Sequence, residues 1–170
     1  MLLDNYWNLI TYISTNLPNQ NQYAGVDLQL KNINNESFSI LAGPSSSYAE
    51  TNWSVRYGIS LHIGTGTTDP LSNDYCLESD ITSSMFNVQQ TVNSIYSDGQ
   101  FRTALTISGN NNTGSSITIS EIGVVKSMYK FVAPSSYGAT NILLSHDLLE
   151  NQLIVPNGRG FLIVYDWDQR

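Results

Sequence analysis

Apolar and polar residues alternate along most of this chain, as they do in β-strands that bury one face. The longest run of this kind places an apolar side chain at every second position from Trp53 to Ile63. Pairs such as Asn34-Asn35 and Asn157-Gly158 interrupt the alternation and are typical of turns. The pattern predicts strands over residues 26–30, 38–40, 53–63, 86–96, 101–107, 117–124, 153–155 and 161–167.

The number and spacing of these segments predict the fold class. About seven or eight short strands separated by turns are typical of an all-β protein built as an antiparallel β-sandwich. We expect residues 101–107 and 117–119 to form a hairpin around the polar loop 108–114. The apolar phase shifts by one residue after Glu121, which predicts a β-bulge near Glu121 and Gly123. We expect Glu121 itself to be a strand-end carboxylate that accepts backbone hydrogen bonds.

The beginning of the chain has a different periodicity. Apolar residues recur there at steps of three and four positions, and Asp4 is a candidate N-cap, so a helix is predicted over residues 4–16. A polar, asparagine-rich linker follows, which divides the chain into a helix with linker over 1–23 and a β-sandwich domain over 24–170. The apolar face of the helix packs either on its own domain or on a neighbouring subunit. It consists of Leu3, Tyr6, Trp7, Ile10 and Ile13.

Charged residues are scarce in this sequence. They make up 12% of the chain, about half of the roughly 25% that is ordinary for globular proteins. Asn, Ser and Thr together account for 53 of 170 residues, and these side chains favour turns, caps and strand faces over helix interiors. The net charge is −7 and the seven basic residues do not cluster. Direct binding to nucleic acid or to an anionic membrane is therefore disfavoured.

The sequence carries no targeting signal that we recognise. No apolar run approaches the roughly 18 residues needed to span a bilayer, and the first residues lack the basic segment of a signal peptide. We therefore expect a soluble protein made in a cytoplasm, with no membrane partner. Cys76 is the only cysteine, which excludes an intrachain disulfide and a cysteine-based metal site.

Few residues are candidates for catalysis or metal binding. His62 and His146 are the only histidines, and neither has a metal-binding spacing. The run Ser145-His146-Asp147 contains the residue types of a catalytic triad, but successive side chains point apart on strands and helices. Acidic residues between 69 and 80 lack the spacing of a calcium loop, and segment 64–68 lacks the lysine of a phosphate-binding loop. We expect no catalytic residue, no metal and no cofactor.

Five ordered segments form a pattern that goes beyond composition. They are Ile63-Gly64-Thr65-Gly66-Thr67-Thr68-Asp69-Pro70, then Asn73-Asp74-Tyr75 with Leu77-Glu78, then Thr118-Ile119-Ser120-Glu121-Ile122-Gly123-Val124, then Leu143-Leu144-Ser145-His146, and finally Val155-Pro156-Asn157-Gly158. This order resembles accessory virion proteins of tailed bacteriophages and their prophages. In that family a G-T-G-T-T-x-P loop precedes D-Y-x-L-E, E-I-G-L, L-L-x-R and a closing strand. The resemblance covers about residues 55–167, and His146 stands where the family has Arg.

The resemblance implies a β-rich, non-enzymatic building block of a virion, on the head, neck or tail, made in the host cytoplasm. It implies no catalytic residue and no cofactor. The implied partners are other virion proteins and further copies of this chain in a homo-oligomer. The candidate subunit contacts combine the helix face with residues of the resembling segments: Leu3, Tyr6, Trp7, Ile10, Ile13, Gly64, Thr65, Gly66, Asp74, Tyr75 and Glu78.

Two other functions remain open at this point. Tyr, Trp, Asn and Ser suit a polar contact surface, so a carbohydrate-binding β-sandwich is the main alternative. In such a module an exposed Trp or Tyr would stack on a sugar ring beside Asn and Asp hydrogen bonds. Glycoside hydrolysis needs two opposed carboxylates. Because the chain has 14 acidic residues, their presence alone does not favour that reaction.

Overall fold

The computed structural model describes residues 1–9, 29–39, 58–97, 100–133 and 136–167. These residues form eight β-strands, one short helix and one turn of 3-10 helix. The fold is mostly β-structure, with antiparallel sheets in a sandwich-like arrangement. The prediction of an all-β, antiparallel β-sandwich with one N-terminal helix is therefore confirmed.

The helical elements are short. Helix α1 begins at Asp4 and is described over residues 4–9, and the 3-10 helix spans Thr82–Ser84. The remainder of the predicted helix, with Ile10 and Ile13, lies outside the described residues. The strands are β1 (Gln29–Lys31), β2 (Ser37–Ser39), β3 (Ile59–Gly64), β4 (Phe86–Ser97), β5 (Gln100–Asn110), β6 (Ile117–Ala133), β7 (Ser136–Val155) and β8 (Gly160–Trp167).

The eight strands form three sheets. Strands β1 and β2 pair with each other, and the other two sheets have the orders β3-β6-β7 and β4-β5-β8. The pairs β1/β2, β4/β5 and β5/β8 are antiparallel. Strand β5 is therefore the centre of its sheet, and β4 and β8 are its edges within the described part of the chain.

The chain divides into two compact units. The first unit contains the described residues of Met1–Ile59, Pro70–Cys76 and Val124–His146, and the second contains those of Ser60–Asp69, Leu77–Gly123 and Asp147–Arg170. Helix α1 belongs to the first unit. The boundary predicted after residue 23 falls outside the described residues.

Aliphatic side chains fill the interior of both units. Burial of each large aliphatic side chain contributes roughly 1.5–3 kcal/mol to the hydrophobic part of stability. The core of the first unit contains Leu3, Tyr6, Leu9, Leu30, Val124, Val125, Met128, Ile142, Leu143 and Leu144. The core of the second unit contains Leu61, Ile63, Leu77, Met85, Leu105, Ile107, Ile119, Ile122, Val155 and Phe161.

The turn predicted at Asn34-Asn35 is confirmed. It joins β1 to β2, and Asn35 has a φ of 67°, a left-handed conformation that Asn tolerates better than most residues. The Asn32 side-chain oxygen accepts hydrogen bonds from the backbone N–H groups of Asn34 and Glu36, at 3.0 and 2.9 Å. The predicted strand residues 53–57 lie outside the described part, and β3 begins at Ile59.

The predicted hairpin between residues 101–107 and 117–119 is wrong. Strand β5 pairs with β4 and β8, whereas β6 pairs with β3 and β7. The intervening loop is organised by Asn111, whose side-chain amide donates to the backbone carbonyls of Ser115 and Val155, each at 2.8 Å. These bonds hold the residues after β5 in a loop conformation. Strand β6 then pairs in a different sheet, between β3 and β7.

The bulge predicted near Glu121 and Gly123 stays a prediction, and burial offers a second explanation of the phase change there. Strand β6 runs unbroken from Ile117 to Ala133, and all its residues from 119 to 126 are buried. A strand buried on both faces does not need to alternate apolar and polar residues. The register irregularity that the structure does describe lies in β4, between Phe86 and Gln89.

Candidate functional site

A buried carboxylate connects three of the five ordered segments described in the sequence analysis. Glu121, on β6, is completely buried. Its Oε1 accepts the backbone N–H groups of Gly66 at 2.9 Å and Ser79 at 2.8 Å, and its Oε2 accepts that of Glu78 at 3.0 Å. Such donors replace the water that a buried carboxylate loses. The expectation that Glu121 accepts backbone hydrogen bonds is confirmed, but its expected place at a strand end is wrong, because it lies within β6.

A second carboxylate continues this network towards the surface. Glu78 Oε2 accepts the backbone N–H groups of Thr67 and Thr68, at 2.8 and 3.0 Å. The Ser120 hydroxyl donates to the Gly66 carbonyl at 2.7 Å, so the loop is held on both sides. We call Glu121, Glu78 and the loop 64–68 the carboxylate-loop network.

Two glycines allow the loop to approach Glu121 this closely. A Cβ atom added at Gly66 would lie 2.5 Å from the Glu78 Cβ and 2.6 Å from Glu121 Oε1. One added at Gly64 would lie 2.6 Å from the Ser79 carbonyl oxygen and would also overlap Glu121 Oε1. Both positions therefore require glycine for close approach, although neither has a left-handed backbone.

The first unit contains an acid–histidine pair, formed by Asp74 and His146. His146 Nδ1 lies 2.8 Å from Asp74 Oδ2, and the same oxygen accepts the backbone N–H of Leu71 at 2.9 Å. The His146 side chain is 4% exposed, so its ring is closed to a substrate. His146 thus contacts the Asp of the segment Asn73-Asp74-Tyr75.

The second unit contains another acid–histidine pair. His62 Nδ1 lies 2.6 Å from Asp80 Oδ2, and Asp80 Oδ1 accepts the backbone N–H of Thr82 at 2.8 Å. Burial by itself would raise the pKa of Asp80, but the hydrogen bonds from His62 and Thr82 hold that pKa below its usual value.

The run Ser145-His146-Asp147 does not form a triad, as the sequence predicts. His146 contacts Asp74, whereas Asp147 accepts a hydrogen bond from the Tyr165 hydroxyl. The Ser145 hydroxyl is buried and has no hydrogen-bond partner in the described part of the chain. The three side chains are directed to different surroundings.

No group of three or more His, Cys, Asp or Glu side chains among the described residues is arranged to hold a metal ion. The acidic residues between 69 and 80 have separate roles. Asp74 contacts His146, Glu78 accepts loop amides and Asp80 contacts His62, while Asp69 is exposed. The predicted acidic loop is thus a set of individual backbone and side-chain contacts.

The candidate contact residues of helix α1 lie in different environments. Leu3 is fully buried and Tyr6 is 6% exposed, so both pack within the first unit. Burial raises the pKa of the Tyr6 hydroxyl above its usual value. Trp7 is 53% exposed and its ring meets that of Tyr6 edge to face at 5.2 Å. Of these three residues, only Trp7 presents a large surface to solvent.

The candidate contact residues of the loops are mostly part of the framework. Gly64 and Gly66 are buried, and the Thr65 N–H donates to the Ser79 carbonyl at 3.0 Å. Tyr75 is half-buried, and the Lys31 ammonium lies 4.6 Å from the centre of its ring. These contacts hold the loops in place, which is a role that their sequence pattern alone does not reveal.

The sheet β4-β5-β8 presents an exposed face that sequence reasoning did not identify. Leu162 and Val164 on β8 are 65% and 60% exposed. Residues that lie opposite each other in register share a face, and the neighbours of these two on β5 are Ser108 and Thr106. The apolar run that begins at Phe161 predicted a strand over 161–167, but it gave no means of telling which strand of the sheet would be an edge.

Comparison with known proteins adds no relative to this description. No protein-family model, no curated protein and no solved structure matches the chain. None of the helices in the described residues is long and apolar enough to cross a membrane.

Proposed function

We propose that this protein is a non-enzymatic structural component of a tailed-phage virion that acts through subunit–subunit contacts. The phage part of the proposal is supported by the ordered segments that resemble accessory virion proteins. Residues from three of them meet in the carboxylate-loop network, and the Asp74–His146 pair joins one of these three to a fourth. Because these segments bond to one another inside the fold, they suit a structural role in which other parts of the surface contact partners.

The contact part of the proposal depends on one observation, the exposed face of the sheet β4-β5-β8. Its exposed aliphatic residues, Leu162 and Val164, stand opposite Ser108 and Thr106, which in turn pair with Gln89 and Thr91 of β4. All six side chains are uncharged. An apolar centre surrounded by uncharged polar groups is the composition of an interface core and its rim.

A second copy of this chain is the partner that fits this face best. The whole chain carries a net charge of −7, so two copies repel each other in most orientations. Strand β8 is an exception, because Asp166 is the only charged residue among its eight residues. Two copies that meet there would bury apolar area with little charge repulsion.

The oligomeric state tests the contact part. Light scattering after gel filtration, over a range of concentrations, is expected to show an oligomer for the natural chain. Leu162→Lys is expected to weaken association by about tenfold or more, because it places a charge in the apolar centre. Leu71→Lys is the matched control, since Leu71 is 60% exposed in the first unit. A monomer at all concentrations, or equal effects of both variants, would contradict the proposed contact.

The virion part needs a separate experiment. Mass spectrometry of purified particles from the phage or induced prophage that encodes the chain is expected to detect it in a fixed ratio to the coat protein. Antibody labelling viewed by electron microscopy would then place it on the head, neck or tail. Particles that contain coat and tail proteins but lack this chain would refute its assignment to the virion.

A further inference from the structure

The first unit contains a pocket of about 190 Å³ that the proposed contacts do not use. It lies between helix α1, the strands β1 and β2 and the loop 70–76. Its buried part is formed by Leu30 and Asn5, which are 1% and 5% exposed. Its rim consists of the polar residues Asp4, Asn8, Lys31, Ser37, Asn73 and Asp74.

Hydrogen bonds hold the walls of this pocket in place. The Asn5 side chain accepts the Lys31 N–H at 2.9 Å and donates to the Lys31 carbonyl at 2.8 Å, which joins α1 to β1. The Asp4 N–H donates to the Ser72 carbonyl at 2.8 Å, which joins the helix to the loop 70–76. A pocket whose walls are already ordered loses less entropy when it binds a ligand.

Several polar groups at the rim are not engaged by the described residues. The Asp4 carboxylate, the Ser37 hydroxyl and the Asn73 amide have no side-chain hydrogen bond within the described part. Asp74 uses only Oδ2 in its contacts with Leu71 and His146. The Lys31 ammonium lies over the Tyr75 ring, which fixes a donor beside these acceptors.

We infer that this pocket binds one neutral sugar unit. Sugar hydroxyls both donate and accept hydrogen bonds, and the rim offers carboxylate acceptors, an ammonium donor, and an amide and a hydroxyl that do both. The presence of both negative and positive charges at the rim disfavours small anions and small cations. The carboxylates of Asp4 and Asp74 repel an anion, and the ammonium of Lys31 repels a cation.

The size of the pocket agrees with a single ring. A volume of 190 Å³ corresponds to about six waters at roughly 30 Å³ each, which is comparable to one pyranose. Pockets for drug-sized ligands are larger, about 300–1,000 Å³. Because Asp4, Ser37 and Asn73 are exposed, the pocket opens to solvent, and further units of a glycan would extend outward. Binding of one ring is expected at about millimolar affinity, since so few atoms make contact.

Nuclear magnetic resonance on the full chain tests this inference. Glucose, galactose, mannose and N-acetylglucosamine are titrated separately, and amide shifts are followed in the ¹H–¹⁵N spectrum. At least one of these sugars is expected to shift the amides of Asn5, Lys31 and Asn73. Asn73→Ala and Asp4→Asn are each expected to weaken that binding by about fivefold, the effect of losing one hydrogen bond.

Matched controls separate loss of binding from loss of structure. Asn112→Ala and Asp69→Asn change exposed residues of the second unit and are expected to leave sugar binding unchanged. Glucuronate and alanine serve as charged comparison ligands. Absence of shifts with all four neutral sugars, shifts that the pocket variants do not alter, or tighter binding of a charged ligand would each overturn the inference. None of these results bears on the oligomer, so the two proposals fail independently.

Discussion

Replacement of Glu121 by Gln tests the carboxylate-loop network most directly. Glu121 is fully buried and accepts three backbone N–H groups, two on Oε1 and one on Oε2. A glutamine has one accepting oxygen, and its NH₂ group donates. If the oxygen remains opposite Gly66 and Ser79, the NH₂ group faces the N–H of Glu78. At least one buried backbone donor then loses its acceptor and meets another donor.

The expected cost follows from the hydrogen bonds that are lost. A hydrogen bond to a charged group contributes about 1.5–3 kcal/mol, and a buried donor without a partner costs about 1–3 kcal/mol. We therefore expect Glu121→Gln to lower the free energy of unfolding by about 2–4 kcal/mol. In a chain of this length each kcal/mol shifts Tm by roughly 2–4 °C, so Tm is expected to fall by about 10 °C.

Glu78→Gln is the matched control in the same network. Glu78 is exposed, and both of its backbone donors, Thr67 and Thr68, bind the same oxygen. The single oxygen of a glutamine can accept both, so the expected cost is below about 1 kcal/mol.

Urea unfolding followed by tryptophan fluorescence gives both free energies by linear extrapolation. A Glu121→Gln protein as stable as the natural chain would refute this account of the network. Equal losses for the Gln variants at 121 and 78 would refute it as well.

Three further predictions concern single positions. Gly66→Ala is expected to cost about 2 kcal/mol or more, because its Cβ would lie 2.5 Å from the Glu78 Cβ; Gly58→Ala, with nothing within 4 Å, is expected to be neutral in the same unfolding assay. Ser145→Ala is expected to raise stability by about 1 kcal/mol, since it removes a buried hydroxyl without a partner, and a loss of stability in calorimetry would reject this reading. The pKa of Asp80 is lower in the folded chain than its usual value of 3.8. Between these two pKa values the unfolded chain binds more protons than the folded chain, so the free energy of unfolding rises with pH. Asp80→Asn is therefore expected to destabilise most above that window, with a deficit that shrinks on acidification; a deficit that does not change with pH would count against the ionised pair.

Local patterns predicted the parts of the fold that depend on local forces. Apolar patterns located β4, β5 and β8 to within a few residues, by recurrent apolar positions in the first two and a continuous apolar run in β8. The turn residues Asn35 and Gly158 take the left-handed backbone expected of them. The expected backbone acceptor at Glu121 is confirmed for the same reason, because a carboxylate in an apolar strand must find donors.

Strand pairing could not be predicted in the same way. Residues 101–107 and 117–119 have compatible alternation, but which strand joins which sheet depends on contacts far apart in the sequence. The loop after β5 is held by the Asn111 side chain, whose amide donates a hydrogen bond to the Val155 carbonyl 44 positions away. The pocket at Asp4, Lys31 and Asn73 is likewise built from three distant segments, and no spacing rule connects them.

The low charge of the chain also bears on its proposed partners. Some of the described charged residues serve internal contacts: Glu121 accepts backbone N–H groups, Asp80 contacts His62, and Lys126 is buried. Few charges then remain to protect the sheet edges, and natural proteins usually place charged residues on an exposed edge strand to prevent association. Strand β8 instead exposes Leu162 and Val164 at an edge of its sheet within the described part. An edge without such protection is a liability for an isolated molecule, and it favours a protein whose working form covers that edge with another subunit.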